Sequence, residues 1–533
     1  MKPSDQDEIL STHLIKNGVD TKTVLNHPVG LFVLFFTEMW ERFSYYGMRA
    51  LLVLFLVSTI SEEGWGWTNQ RALQLYGVYT GLVYLTPLIG GLIADKITGY
   101  RKAVFWGALI MTLGHASMAL EGFTDAFFYA GLGLLILGNG LFKPNISSIV
   151  GQLYPDNSDR KDAGYTIFYM GINAGAFLGM GLCGYIGENI GWHWGFGLAG
   201  VFMFFGMLQF YFGRKIFGKL GEDPREAKKR EEEIHSGAAT DEEEDEKTPA
   251  NVRRDRLIVI GVLIFFSIFF WLAFEQAGGS MTIFANDYTN RMLDGQAALT
   301  FKWVDTLLTI IPLILLSWVL LSLARKIFAS YPASIFFTAL SFVIIWGIAF
   351  WKIDREFSRV ETEVAASWFQ ILNSFFIITL ATVFAKVWET KFNPTGPVKF
   401  AIGLILLGIG FGALAYGASE IPSGATTASV SMIWLILAYF FHTTGELCLS
   451  PVGLSYMSKL SPKNLIGLIM GFWFLSSAIA NFMGGFIGSY IDQIAQTYSI
   501  STFFMMFFVI SIVAGILLMA LSPWLKKLMH GIH

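Results

Sequence analysis

The stretch Leu31-Phe-Val-Leu-Phe-Phe-Thr-Glu38-Met-Trp-Glu41-Arg42-Phe-Ser-Tyr45-Tyr46-Gly-Met-Arg49 places two acids and two arginines in an otherwise apolar segment. At about 100° per residue, Glu38, Arg42, Tyr45 and Arg49 fall within an arc of about 60° on one helix face. Ionisable side chains at bilayer depth cost several kcal/mol unless they pair or line an aqueous cavity. A structural ion pair is the alternative, but it needs only one acid and one base. The stretch therefore predicts a membrane helix whose polar face lines a functional cavity.

Composition places the whole chain in the membrane class. Of its 533 residues, 54% are hydrophobic and 14% are charged, whereas soluble domains are about one-quarter charged. The net charge is −3, so the basic field that nucleic-acid binding requires is absent. The sequence predicts an all-α polytopic protein, because fourteen apolar segments are long enough to span a bilayer. They lie at 30–59, 72–95, 102–121, 126–151, 163–189, 194–217, 256–285, 303–325, 331–352, 367–390, 398–418, 430–452, 464–490 and 500–524.

The distribution of lysine and arginine predicts the orientation. Alternate connections carry most of these residues, which places both termini in the cytoplasm, with Arg355 and Arg359 in loop 353–366 as an exception. The acidic stretch near the middle of the chain is interpreted as a solvated linker. The predicted organisation is a tail at 1–29, a six-helix bundle at 30–217, a cytoplasmic linker at 218–254, a second six-helix bundle at 255–525 with two extra helices near 303–352, and a tail at 526–533.

The connection after the second span carries a recognisable motif. Its sequence, Gly91-Leu-Ile-Ala-Asp95-Lys-Ile-Thr-Gly99-Tyr-Arg101-Lys102, resembles the loop signature of the major facilitator superfamily. An acid and bases on such a hairpin can latch adjacent helices in one of two states. The resemblance implies two six-helix bundles, with Asp95 and Arg101 as a cytoplasmic latch. An ordinary positive loop at the cytoplasmic face would look similar.

The opening stretch identifies a family within that superfamily. Glu38-x-x-Glu41-Arg42-Phe-x-Tyr45-Tyr46-Gly47 resembles the signature of the proton-dependent oligopeptide transporters. Further matching segments are Gly138-Asn-Gly-Leu-Phe-Lys143-Pro144-Asn145, Phe168-Tyr169-x-x-Ile-Asn173-x-Gly175, Phe274-Glu275-Gln276, Trp368-Phe-Gln-x-Leu-Asn373 and Gly445-Glu446-x-x-x-Ser450-Pro451-x-Gly453. The resemblance runs from about residue 30 to residue 490.

The same residues can be weighed without the family. Glu446 and Glu275 lie deep in apolar spans, where a carboxylate must pair, bind a proton or face water. Lys143 could snorkel to the interface, because it ends an apolar run of its span. Asn173 and Asn373, like the tyrosines, could instead bond across helices.

The resemblance implies a proton-coupled symporter that imports di- and tripeptides across the cytoplasmic membrane by alternating access. It implies protons as the coupling ion, no cofactor or metal, the lipid bilayer as the surrounding medium and a functional monomer. Expected proton-coupling residues are Glu38, Glu41, Arg42, Lys143 and Glu275. Expected substrate-binding residues are Arg49, Tyr45, Tyr46, Tyr79, Asn173, Asn373, Glu446, Ser450 and Trp473.

Two alternatives remain at the level of sequence. A carrier of the same family could transport another small anionic or zwitterionic solute, such as nitrate or an amino-acid derivative. A membrane-embedded enzyme would need a nucleophile–base pair or a metal-ligand cluster, and the eight histidines are scattered. We therefore expect no enzymatic activity.

Overall fold

The computed structural model describes residues 3–155, 158–222, 249–390, 393–462 and 465–532. Most of the predicted linker at 218–254 lies outside these ranges. Within the described ranges, the first part of the chain has seven α-helices: α1 (Pro3–Lys16), α2 (Val29–Val57), α3 (Asn69–Ile93), α4 (Tyr100–Met118), α5 (Asp125–Gln152), α6 (Asp159–Asn189) and α7 (Trp192–Gly213).

The later part of the chain adds ten helices. They are α8 (Ala250–Phe274), α9 (Ser280–Asp287), α10 (Gly295–Ile327), α11 (Pro332–Ser358), α12 (Ile371–Glu389), α13 (Gly396–Gly417), α14 (Ile433–Leu460), α15 (Ile466–Gly488), α16 (Ile491–Thr497) and α17 (Ile500–Leu528). A 3₁₀ turn at Glu275–Gly278 separates α8 from α9, where two consecutive glycines, Gly278 and Gly279, disfavour a continuous helix.

The long helices correspond to the predicted membrane segments. In the described ranges, twelve are long and apolar enough to cross a membrane. Helices α2 and α4 are the two other long helices at predicted spans. Helix α2 has 29 residues, which gives about 43 Å at 1.5 Å per residue and exceeds a hydrocarbon core of about 30 Å. The all-α polytopic fold predicted from the sequence is confirmed.

Two short antiparallel pairs of strands lie between helices of the described ranges. Strand β1 (Thr23–Val24) pairs with β2 (His27–Pro28) immediately before α2. Strand β3 (Met292–Leu293) pairs with β4 (Thr362–Glu363), with Met292 opposite Glu363 and Leu293 opposite Thr362. The second pair joins the chain just before α10 to the chain just after α11.

The described residues divide into two compact units. The first is drawn from Met1–Leu51, Thr86–Ile234 and Met292–Trp368. The second is drawn from Leu52–Leu85, His235–Arg291 and Phe369–His533. The hairpin of α10 and α11, the two helices beyond the twelve of two six-helix bundles, belongs to the first unit.

In the first unit, aromatic residues pack α11 onto α2 and α7. The ring of Trp40 on α2 stacks on Phe202 of α7 at a centroid distance of 4.7 Å. Phe342 of α11 meets Trp40 edge to face at 5.6 Å. Ser334 of α11 also donates a hydrogen bond to the Gln209 carbonyl of α7 at 2.9 Å. The inserted hairpin is thereby packed against the helix that carries the charged stretch.

Glycines on α6 allow it to approach α2 closely. A Cβ atom on Gly175 would collide with the Met39 carbonyl, and one on Gly179 would collide with the Phe43 carbonyl. Small residues at membrane helix interfaces permit such close backbone approach. The glycine-bearing face of α6 therefore packs directly on the backbone of α2.

In the second unit, α14 packs closely on α13. A Cβ atom on Gly403 of α13 would lie 2.8 Å from the Gly445 carbonyl of α14. This contact fixes the middle of α14 one residue before Glu446. Glu446 is therefore positioned by the packing of two long helices.

Candidate functional site

Helix α2 carries a buried ion cluster formed by Glu38, Glu41 and Arg42. Arg42 Nε lies 3.1 Å from Glu38 Oε1 and also donates to Glu41 Oε2. Asn139 of α5 donates from Nδ2 to the second oxygen of Glu41 at 3.1 Å. No residue of this cluster is more than 2% exposed. The predicted polar stripe is thus a compact cluster with an amide donor from another helix.

Two acids of the cluster share one arginine. Glu38 and Glu41 both contact the Arg42 guanidinium, while Lys143 of α5 is half-buried and its charge acts on Glu38. A carboxylate that shares its cation away from water is stabilised either by a proton or by a second cation. The arrangement is therefore able to exchange a proton against a change in ion pairing.

Two arginines and two tyrosines extend the cluster along α2. The Arg42 guanidinium carbon lies 5.4 Å from the centre of the Tyr45 ring, and that of Arg49 lies 5.7 Å from the Tyr46 ring. These are cation–π distances, and they orient the guanidinium planes against the rings. Arg49 is 7% exposed. A planar, buried guanidinium of this kind suits a bidentate carboxylate partner.

Asn173 of α6 belongs to the first unit as well. It is 5% exposed, and its Nδ2 donates to the Tyr169 carbonyl at 3.0 Å. The amide is therefore held by its own helix, two residues before Gly175. At 100° per residue, Asn173 lies on the opposite side of α6 from Gly175, which packs on α2.

The second unit carries its own polar group around Glu446. Asn373 of α12 donates from Nδ2 to Glu446 Oε2 at 2.9 Å and contacts the Thr443 hydroxyl at 3.1 Å. Glu275, 5% exposed at the break between α8 and α9, acts electrostatically on Glu446. Two carboxylates in the same field disfavour simultaneous ionisation. This group is therefore suited to bind a cation or a proton.

Three further predicted residues belong to the second unit. Trp473 of α15 is 6% exposed and meets Phe400 edge to face at 6.4 Å, and a Cβ atom on Gly453 would collide with its ring. Tyr79 of α3 is buried at 1% exposure. Ser450 is half-buried one helical turn after Glu446.

The predicted latch residues have separate partners. Asp95 is exposed and accepts a hydrogen bond from the Tyr100 hydroxyl at 2.8 Å. Arg101 pairs with Glu222 at 3.1 Å and donates to the Gly218 carbonyl at 2.9 Å. Arg101 thus ties the start of α4 to the segment after α7.

Sequence reasoning did not predict roles for Asn139 and Thr443. Asn139 lies four residues before Lys143, which places both on one face of α5. Thr443 lies three residues before Glu446 and therefore on the same face of α14. The helical spacing was an available signal for both residues. Within the ranges that the structure describes, His, Cys, Asp and Glu form no group of three or more that could hold a metal ion.

Acids lie at buried or half-buried positions among the long apolar helices of both units, and buried arginines accompany them on α2. This pattern is typical of a polytopic membrane transporter and not of an enzyme. The POT family matches residues 101–230 and 334–506, and the chain belongs to this family. The family and the superfamily fold inferred from the motifs are confirmed.

Individual relatives match over almost the whole chain. The protein named Uncharacterized transporter YclF from Bacillus subtilis is 33% identical, covering 97% of this chain and 98% of that protein. A Di-/tripeptide transporter from Lactococcus lactis subsp. cremoris is 30% identical, covering 96% of this chain and 98% of that protein. A crystal structure of a POT family transporter in complex with 5-aminolevulinic acid is 27% identical, with a TM-score of 0.74 and coverage of 96% of this chain and 99% of that chain.

Proposed function

We propose that this chain is a proton-coupled symporter that imports di- and tripeptides across the cytoplasmic membrane by alternating access. The observation that carries the proposal is the buried cluster in which Glu38 and Glu41 share Arg42. Two acids that share one guanidinium provide a place for a proton, and two of the related proteins bear on the cargo. One is named a di-/tripeptide transporter, and the other binds a solute whose name specifies an amine and an acid.

Proton coupling would use the competition between a proton and Arg42. When Glu38 or Glu41 binds a proton, its attraction to the guanidinium falls, and Arg42 can change partner or conformation. Lys143 can then compensate the acid that remains charged. Glu275 would contribute a related change in the field at Glu446. A proton bound from the outside would in this way be linked to a change in the ion pairs of the buried helices.

Substrate recognition would use the groups that all short peptides share. Arg49, together with Tyr45, Tyr46 and Asn173, is proposed to bind the carboxylate. Glu446, oriented by Asn373, is proposed to bind the amine. Tyr79, Ser450 and Trp473 are proposed to contact peptide side chains. Because the charged ends are common to every peptide, such a site tolerates many side chains.

The remaining predictions concern oligomeric state, membrane topology, cofactors and domain boundaries. We propose a monomer with both termini in the cytoplasm, no cofactor, and domain boundaries at 30–217, 218–254 and 255–525. Asp95 and Arg101 would stabilise one of the two transport states at the cytoplasmic face. Fluorescent labelling of single cysteines at 1–29 and at 526–533 in intact spheroplasts would test the orientation of the termini.

The second candidate function is transport of another zwitterion by the same site. The bound 5-aminolevulinic acid in a related structure favours this alternative, and nitrate is the anionic case. An amino-acid derivative would contact Arg49 and Glu446 as a peptide does. Nitrate carries no amine, so its uptake would not require Glu446.

Uptake by purified protein in liposomes tests the proposal. With an acidic exterior, labelled dialanine should accumulate, and a protonophore should abolish the accumulation. N-acetyl-dialanine, which lacks the charged amine, should compete poorly with dialanine in the wild type, and Glu446→Gln should remove that discrimination. Accumulation of nitrate or 5-aminolevulinic acid without dialanine uptake would contradict the peptide assignment.

A further inference from the structure

The inserted hairpin of α10 and α11 contains a buried ion pair that the proposed mechanism does not use. Lys352 Nζ lies 2.8 Å from Asp305 Oδ2 and 3.1 Å from Oδ1. The two residues are 4% and 7% exposed. Apolar residues of similar volume would hold two helices together at least as well, because burying two ions is costly. The ion pair is therefore better explained by the positions that it imposes on neighbouring groups than by added stability.

The Asp305 carboxylate also holds a residue outside the hairpin. Trp368 Nε1 donates to Asp305 Oδ1 at 3.1 Å, and the Trp368 ring meets Phe301 of α10 edge to face at 5.1 Å. Trp368 lies in the 3₁₀ turn Ala366–Gln370, which runs directly into α12. The hairpin thus fixes the turn from one side.

Helix α6 fixes the same turn from another side. Glu188 accepts hydrogen bonds from the Ala366 amide at 2.7 Å, the Ser367 amide at 2.9 Å and the Ser367 hydroxyl at 2.5 Å. A Cβ atom on Gly184 would collide with the Ser367 side chain. A carboxylate that receives three donors, seated against a glycine, defines the position of a segment closely.

The last turn of α6 is in addition bonded to α11. Tyr185 of α6 donates a hydrogen bond to Glu356 Oε1 of α11 at 2.6 Å. Arg359 donates to the same Glu356 oxygen at 3.2 Å and to Asn189 Oδ1 of α6 at 3.1 Å. Arg355 donates to the Asn189 carbonyl at 3.3 Å. The two arginines that departed from the charge pattern of the loops thereby bind acceptors on α6 and α11. Helix α6 and the hairpin form one bonded frame around residues 366–368.

We propose that Glu188, Asp305 and Lys352 are positioning residues for solute binding, because they hold the turn from which the helix bearing Asn373 begins. Asn373 lies five residues after Trp368, and it orients Glu446 through a hydrogen bond of 2.9 Å. Loosening residues 366–368 therefore misplaces the amide that orients Glu446. The inference rests on the proposed function, since it assigns solute binding to Asn373 and Glu446.

The test compares two tryptophan variants whose indoles each donate a hydrogen bond to a residue of α10. Trp368→Phe removes the donor to Asp305 and keeps an aromatic ring. Trp346→Phe, the matched control, removes a hydrogen bond of 3.0 Å from α11 to Ser317 of α10 and leaves the turn untouched. Glu188→Gln provides the second test variant, because it replaces the charged acceptor of the Ala366 and Ser367 donors with a neutral amide.

We expect Trp368→Phe and Glu188→Gln to raise the KM for dialanine about three- to tenfold, the range of one or two lost hydrogen bonds. The pH profile of uptake should stay that of the wild type, because the cluster on α2 is untouched. Amide hydrogen exchange at Ala366 and Ser367 should accelerate in Glu188→Gln, and Trp346→Phe should change neither KM nor exchange. Faster exchange with a wild-type KM in both test variants would overturn the proposal and leave a purely structural anchor. Absence of dialanine uptake by the wild type would instead refute the proposed function, and this inference with it.

Discussion

Two buried ion groups of the first unit differ in how many acids contact one arginine or lysine. On α2, two carboxylates share one guanidinium, and Lys143 acts on Glu38 from α5. In the inserted hairpin, Asp305 meets Lys352 in a matched pair, and the Trp368 indole donates to the same carboxylate. A one-to-one pair resists change, whereas one of two acids that share a guanidinium can exchange that contact for a proton. Burial alone therefore does not distinguish an exchangeable ion group from a fixed one, but the sharing of the cation does.

The largest effect on transport should follow from removing an acid of the ion cluster on α2. Glu41→Gln should reduce proton-driven accumulation of dialanine to the level of empty liposomes, because the proton-dependent change of ion pairing is lost. Counterflow exchange, which needs no net proton movement, should survive. Lys143→Ala should behave in the same way. Accumulation at the wild-type level in both variants would remove the cluster from the coupling mechanism.

The next effect should appear in stability at the balanced pair. Lys352→Met leaves the buried Asp305 without its cation and should lower the free energy of unfolding by about 3–5 kcal/mol. Adding Asp305→Asn should recover most of the loss, because no charge is then left unpaired. Glu38→Gln, which removes one of two acids that share the Arg42 guanidinium, should cost much less, because Glu41 still pairs with Arg42. Thermal unfolding in detergent measures the stability of all of these variants. An equal loss of stability in Lys352→Met and Glu38→Gln would contradict the distinction between the two ion groups.

A smaller effect is expected at Asn139. Asn139→Ala deletes the amide donor to Glu41, and the loss of one hydrogen bond to a charged group should slow proton-driven uptake about tenfold. Asn145→Ala is a matched control on α5, since Asn145 donates to the Gly90 and Leu141 carbonyls and not to the ion cluster. If both variants slowed uptake equally, the effect would belong to the packing of α5.

The smallest effect concerns pH and stability outside the membrane segments. Burial, and then the nearby Arg160 guanidinium, lowers the pKa of His27, whose Nδ1 lies 2.7 Å from the Tyr154 hydroxyl. The unfolded chain therefore binds a proton that the folded chain excludes, and stability falls as pH drops through the ordinary histidine pKa of about 6.5. His27→Gln should flatten this part of the stability profile while the pH profile of uptake is retained. A profile that His27→Gln leaves unchanged would assign the acid sensitivity to other groups.

The helices could be predicted from the sequence because each one carries its own signal. About twenty consecutive apolar residues mark a span without reference to any other part of the chain, and the helical period alone places Glu38 and Arg42 on one face. Partners that lie far away in sequence carry no such signal. Asp305 and Trp368 are 63 residues apart, and Glu188 and Ser367 are 179 apart, so neither contact could be derived from spacing.

The pairing of β3 with β4 has a consequence for the architecture of the chain. Met292 and Glu363 are neighbours across this ladder, so the polypeptide leaves for α10 and returns from α11 at the same point. An excursion whose two ends meet behaves as a module: a two-residue turn could close the ladder in place of residues 294–361. Such a shortened chain would keep the Glu188 contacts to residues 366–367 and lose the Asp305 contact to Trp368, so it would separate the contribution of α6 to the position of α12 from that of the hairpin.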